Sequence, residues 1–256
     1  MARKPVRRSY GWIPDLPDFR DIHYAAVYKV PSKLPSNVDL RPMCPPVEDQ
    51  GQLGSCTAHA LTGGLETLEI IDKLPPVQMS RLFVYYNERA MENTIGQDSG
   101  ARIRDGIKTL VDQGCCVEDE WPYVISKFTN KPTPACFADG LNHQVTSYEC
   151  IDTPDQMRAC LASGYPFVFG FTVYESFESQ KVAQTGIVNM PAASEKTLGG
   201  HAVLAVGYDD KSKRFTVRNS WGPDWGMQGY FTIPYDYLAS RDLSDDFWTI
   251  RRGKEM

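Results

Sequence analysis

Glu48-Asp-Gln-Gly-Gln-Leu-Gly-Ser-Cys-Thr-Ala-His-Ala-Leu61 is the stretch whose reading decides the fold. Gly51 and Gly54 break the chain, and Ser55 suits a helix N-cap. Beyond Cys56 the apolar residues Leu61, Leu65 and Leu68 recur at helical spacing. The pattern predicts a core helix over about 56–72 with a thiol in its first turn. A helix N-terminus carries free N–H groups and partial positive charge, which favour a thiolate. The stretch therefore suits a nucleophile, and it also suits a buried, inert cysteine.

Two later stretches bear on that choice. Gly199-Gly-His-Ala-Val-Leu-Ala-Val-Gly-Tyr208 sets a histidine at the head of an apolar run. Arg218-Asn-Ser-Trp-Gly-Pro-Asp-Trp-Gly-Met-Gln-Gly-Tyr230 carries an asparagine, two tryptophans and three glycines. On an extended strand His201, Val203 and Ala205 share one face, as do Phe215, Val217 and Asn219. Adjacent strands would present His201 and Asn219 side by side. His59, close to Cys56 on the helix, has no orienting partner in the sequence and is read as structural.

The order Cys, His, Asn and these three motifs resemble the papain-like cysteine peptidases, in a divergent form similar to bacterial ones. The resemblance runs from about Leu34 to Tyr230. It implies an α+β fold of two lobes, helical and β-barrel-like, with the active site in the cleft between them. It implies Cys56 as nucleophile, His201 as base, Asn219 as the residue orienting His201, and Gln50 as an oxyanion-hole donor. Peptide hydrolysis would proceed through a thioester acyl-enzyme. By register Ser99 and Gly100 would pair with the substrate backbone. Ala101, Gly170 and Gly200 would line a roomy pocket for the second residue before the cut, one that takes large apolar or aromatic side chains. Trp221 would shield the His201–Asn219 contact. Leu53 stands where the family usually has a disulfide-forming cysteine, and Asp98-Ser-Gly100 replaces its partner motif, so that crosslink is absent. Thr57 replaces an aromatic residue beside the nucleophile. An acyl transferase and a silent binding protein on the same fold are the alternatives.

The rest of the chain is consistent with this class. Its 256 residues are 42% apolar, enough for a substantial core. A net charge of −5 argues against bulk attraction to nucleic acid. No apolar run is long enough to span a membrane. The N-terminus lacks the apolar stretch of an export signal, which suits a cytoplasmic or non-classically secreted protein. An odd number of cysteines, seven, leaves at least one unpaired. With no pair of Cys-x-x-Cys units and no phosphate loop, no metal and no cofactor are expected. The expected partner is a peptide or protein substrate, met by a monomer.

Residues 1–33 read as a separate segment. Prolines at 5, 14, 17 and 31 forbid a long helix. Trp12, Ile13, Leu16, Phe19, Tyr24 and Tyr28 are too apolar for a solvated tail. The segment either pads the domain or lies in the cleft in the manner of a zymogen pro-segment, though it is far shorter than the family's helical ones. The peptidase domain is expected over 34–256, with a helical lobe over about 43–142 and a strand-rich lobe over about 143–256. Helices are predicted over 80–91, from 102 to a stop at Gly114, and from a Thr153-Pro-Asp-Gln156 capping box to Gly164. Asn130–Gly140 reads as loop. Strands are predicted over 143–149, 167–173, 201–208, 214–219 and 230–233.

Overall fold

The computed structural model describes residues 8–253. The first seven residues of the N-terminal segment lie outside this range. Helices α1 (Tyr24–Val27), α2 (Cys56–Ile71), α3 (Arg81–Met91), α4 (Ile103–Asp112) and α5 (Pro134–Gly140) come mainly from the first half. Strand β1 (Asn37–Asp39) precedes α2. The second half supplies β2 (Ser147–Cys150), α6 (Pro154–Ala162), β3 (Phe167–Tyr174), α7 (Gln180–Thr185) and β4 (Thr197–Asp209). It ends with β5 (Arg214–Arg218), β6 (Tyr230–Pro234), α8 (Tyr235–Ala239) and β7 (Ser244–Arg251).

The strands form one antiparallel sheet in the order β2-β7-β3-β4-β5-β6, with β1 added to β4. The sheet is open rather than a closed barrel. Alternation along its strands gives each face its own core. Val168, Leu204, Val206 and Ile250 pack with Leu61, Leu65 and Leu68 of α2. On the other side Phe167, Phe169, Phe171, Phe215, Phe231 and Phe247 form an aromatic layer. The long α2 thus lies along β4, and its N-terminal end meets the stretch that carries His201.

Local chemistry explains most boundaries. Ser80 accepts from the Phe83 N–H at 3.1 Å and starts α3. Thr153 accepts from the Gln156 N–H at 3.3 Å with proline following, and starts α6. Gly114 stops the α4 segment with φ +67°, a left-handed conformation that suits glycine. Four expectations differ from what is found. Ser55 makes no side-chain cap, because its hydroxyl is engaged by Tyr123 Oη at 2.6 Å and faces His59 Nδ1 at 3.3 Å. The stretch read as a loop contains α5, begun by the same Thr-Pro chemistry at Thr133 and Pro134. The strand expected over 143–149 narrows to β2. Finally β7, unmarked in the sequence by its opening Ser-Asp-Asp, lies between β2 and β3 inside the sheet.

All seven cysteines are free. Where the family's crosslink is missing, a carboxylate ties the same two loops. Asp98 accepts from the Gly54 N–H at 3.0 Å and from the Tyr85 hydroxyl. Leu53 is buried in the core beneath the sheet.

The cap chemistry at α6 gives a stability test. Thr153→Ala should lower unfolding free energy by about 1 kcal/mol. Urea unfolding should show a lower midpoint at unchanged slope; an unchanged midpoint would remove the cap from the account.

Candidate active site

Cys56 opens α2 and is completely buried, and its Sγ accepts from the Ala202 N–H at 3.4 Å. That bond puts the sulfur beside the residue after His201. The amides of Thr57 and Gly11 also point at Sγ. With Ser55 not capping, a first-turn amide of α2 is left to serve the sulfur.

His201 is paired with Phe171 of β3, and β4 pairs onward with β5 through Leu204 and Arg218. Continuing that register sets Asn219 opposite Val203, two residues along the same face from His201. Their side chains meet: His201 Nε2 lies 2.8 Å from Asn219 Oδ1. The same oxygen accepts from the Ser220 N–H at 2.8 Å, which fixes the orientation of the amide. An amide oxygen only accepts, so Nε2 carries the proton and Nδ1 is the bare acceptor. His201 Nδ1 is buried and has no hydrogen-bond partner among the described residues. Trp221 covers the ring at a centroid distance of 5.3 Å.

Gln50 is held by its neighbours. Its Oε1 accepts from Ser220 Oγ at 2.6 Å, and its Nε2 donates to the Leu53 carbonyl at 2.9 Å. The backbone carbonyl of Gln50 accepts from Tyr123 at 3.0 Å. The structure therefore brings Cys56, His201, Asn219 and Gln50 into one site. His59 turns its Nδ1 back to the Ser55 carbonyl at 2.9 Å, and burial lowers its pKa to about 3.

The cleft is filled by the chain's own N-terminal segment. Gln50 Nε2 donates to the Ser9 carbonyl at 3.2 Å. The Ala101 N–H donates to the Gly11 carbonyl at 2.8 Å, and Ile13 N–H to the Ala101 carbonyl at 3.0 Å. The Trp12 N–H donates to the Gly200 carbonyl at 2.9 Å. The Trp12 indole lies against Gly170 and Gly200, where a Cβ on either glycine would overlap it. The backbone pairing is thus made by Ala101, while Ser99 turns its hydroxyl to Thr94 at 2.9 Å, and Gly100 packs against Gly11. At the other end Arg8 stacks over Trp221 and pairs with Asp49 at 2.7 Å.

Burial shifts Cys56 and His201 toward their neutral forms. Desolvation raises the Cys56 thiol to about 11, against the lowering effect of the Ala202 and Gly11 amides. Desolvation lowers His201 to about 4, against the bond to Asn219.

One residue of the pocket was not legible in the sequence. Asp246 accepts from Trp12 Nε1 at 2.8 Å and from the Asp15 N–H at 2.8 Å. Asp15 in turn accepts from Trp248 Nε1 at 2.9 Å and from the Arg104 N–H at 3.3 Å. The pocket around Trp12 therefore holds a carboxylate as well as apolar walls. The signal was the Asp-Asp pair that opens β7, legible only once β7 is known to border β3.

Comparison with known proteins fits this geometry. The family model described as papain family cysteine protease matches residues 34–243. The chain belongs to the papain family of cysteine proteases. It is a cysteine-type peptidase, a hydrolase whose substrates are peptides or proteins. An uncharacterized peptidase C1-like protein of Acanthamoeba polyphaga mimivirus is 42% identical over 98% of this chain and 89% of its own. Xylellain, a cysteine protease from Xylella fastidiosa, is 41% identical, with a TM-score of 0.90 over 99% of this chain and 100% of that one. The Amb a 11 cysteine protease of ragweed pollen, in its proform, shares the fold at 22% identity. Its TM-score is 0.71, over 91% of this chain and 70% of that one. No helix among the described residues is long and apolar enough to cross a membrane.

The two carboxyls under Trp12 make the seating of the segment depend on pH. Desolvation first, then mutual repulsion for Asp15, raises both above the ordinary carboxylate range; Arg104 opposes this and Asp245 adds to it at Asp246. The seated segment therefore binds more protons than the released one. Its seating is fully favoured below the ordinary carboxylate pKa and weakens as pH rises through the raised values. Amide exchange of residues 10–15, corrected for intrinsic rates, should lose protection between about pH 4 and 7. Asp246→Asn should lose less; an identical loss in both proteins would contradict the carboxyl origin.

Proposed function

We propose that this peptidase works through Cys56, His201 and Asn219 with Gln50 as an oxyanion donor, and that residues 1–33 hold it latent as a cleft-covering segment of the peptidase domain over 34–256. The observation that carries the reading is the Ser9 carbonyl on Gln50 Nε2, at 3.2 Å, with Gly11 against Cys56. A carbonyl of the chain occupies the place where the polarised carbonyl oxygen of a substrate would sit.

In the proposed cycle the Cys56 proton passes to His201 Nδ1, and the thiolate attacks the scissile carbonyl carbon. The developing oxyanion is met by Gln50 Nε2 and the Cys56 N–H. His201 then gives its proton to the leaving amine as the C–N bond breaks, leaving a thioester on Cys56. Water, deprotonated by His201, cleaves the thioester and regenerates the thiol. Asn219 keeps Nε2 protonated and the ring in place throughout.

The direction of the segment explains why it would survive in the cleft. If the pocket at Gly170 and Gly200 takes the residue before the scissile residue, the attacked carbonyl must lie C-terminal to the pocket side chain. Here the carbonyl at Gln50 belongs to Ser9, N-terminal to Trp12. On that condition the segment runs opposite to a productive substrate.

Removing the oxyanion donor separates chemistry from binding. Gln50→Ala should lower kcat by about two to three orders of magnitude on a peptide substrate. Measured in a chain lacking residues 1–13, Cys56 should alkylate at the rate of the same chain with Gln50 intact; an unchanged kcat would remove Gln50 from the mechanism. Trp12→Ala should raise the peptidase rate of the full chain at least tenfold. An unchanged rate in the folded variant would overturn latency.

A further inference from the structure

Away from the cleft, the N-terminal segment meets the sheet a second time. His23 forms a parallel bridge with Cys150, and the Cys150 N–H donates to the Ile22 carbonyl at 2.8 Å. Cys150 ends β2, and Asp152 follows two residues on, so both project to the same side. His23 Nδ1 lies 2.9 Å from Asp152 Oδ2. The nitrogen, the Cys150 sulfur and an Asp152 oxygen all lie within 4.8 Å of one another.

We propose that His23, Cys150 and Asp152 form a divalent-metal site, suited to Zn2+, that fastens the N-terminal segment to the sheet. The donor set is one imidazole, one thiolate and one carboxylate, a combination matched to a borderline-soft ion of tetrahedral habit. Ligand–ion distances of about 2.0–2.3 Å require donors grouped around a common centre, and these three lie within 4.8 Å of one another. His23 is exposed and Asp152 half-exposed, so a fourth position faces solvent for water. The charge balance also suits a cation. Asp152 and Asp21 act on the thiol with negative charge, and Arg241, itself paired with Asp245, opposes them.

The functional part of the inference rests on the latency reading above. His23 belongs to the covering segment, whereas Cys150 and Asp152 belong to the sheet. A bound ion would add a crosslink that the polypeptide alone lacks, and would hold the covered state more tightly.

The test uses the full chain carrying Cys56→Ser, so that the nucleophile cannot bind metal. Titration with Co2+ should give a near-ultraviolet thiolate-to-cobalt charge-transfer band with 1:1 stoichiometry, displaced by Zn2+. Adding Cys150→Ala should abolish the band, and adding His23→Ala should weaken Co2+ binding at least tenfold, with circular dichroism unchanged. Zn2+ should slow amide exchange over residues 20–26 at least tenfold, and not in the Cys150→Ala protein. No band in the folded Cys56→Ser chain, or a band that survives Cys150→Ala, would overturn the site. A band with unchanged exchange over 20–26 would overturn the fastening. These readouts need no peptidase activity, so they stand or fall separately from the latency reading, which the Trp12→Ala rate addresses.

Discussion

The site depends on the seam where the first turn of α2 meets β4. The Ala202 amide reaches Cys56 Sγ there, and the strand register carries His201 to Asn219. A single backbone group then sets the chemistry: the Ser220 N–H fixes Asn219 Oδ1 toward the imidazole. Turned the other way, the amide would offer a donor to Nε2 and favour the opposite tautomer, placing the proton on Nδ1, the nitrogen that the proposed cycle uses as acceptor. Ser220 also braces Gln50 through its hydroxyl, so one residue orients both the histidine's partner and the proposed oxyanion donor.

The N-terminal segment uses the cleft's recognition groups for its own backbone and side chains. Ala101 and Gly200 supply backbone pairing, and Gly170 and Gly200 make room for an indole only because they lack a Cβ. Burial is the largest influence on Cys56 and His201, raising the thiol and lowering the imidazole, both toward the neutral form. On the proposed reading, latency thus combines occupation of the cleft with loss of the ionic form of the nucleophile. Asp246 holds Trp12 through its ring N–H and takes the Asp15 N–H on the same oxygen, while the Asp15 carboxyl accepts from the Trp248 ring N–H.

Much of this was legible before any coordinates. The helix after Cys56 followed from its leucine spacing, and the side-by-side placement of His201 and Asn219 followed from strand alternation. The agreement of two absent cysteines, at Leu53 and in Asp98-Ser-Gly100, pointed to a missing crosslink. What took its place, an Asp98 carboxylate bonded across to Gly54, has no sequence signal because it joins loops distant in the chain. β7 escaped notice because polar Ser244, Asp245 and Asp246 open it, and with it went the acidic residue of the pocket. Ser55 misled for a different reason: tertiary partners, Tyr123 and His59, outcompeted a local cap.

The central claim is an assembled nucleophile covered by its own N-terminus. Its most direct measurement is mass spectrometry of the rate at which an epoxide-type thiol-peptidase inactivator labels Cys56, in the full chain and in a chain lacking residues 1–13. The account predicts slow labelling in the full chain and rapid, single labelling at Cys56 once those residues are removed. Equal rates in the two folded proteins would contradict the covering role, and no labelling in either would contradict the assembled site.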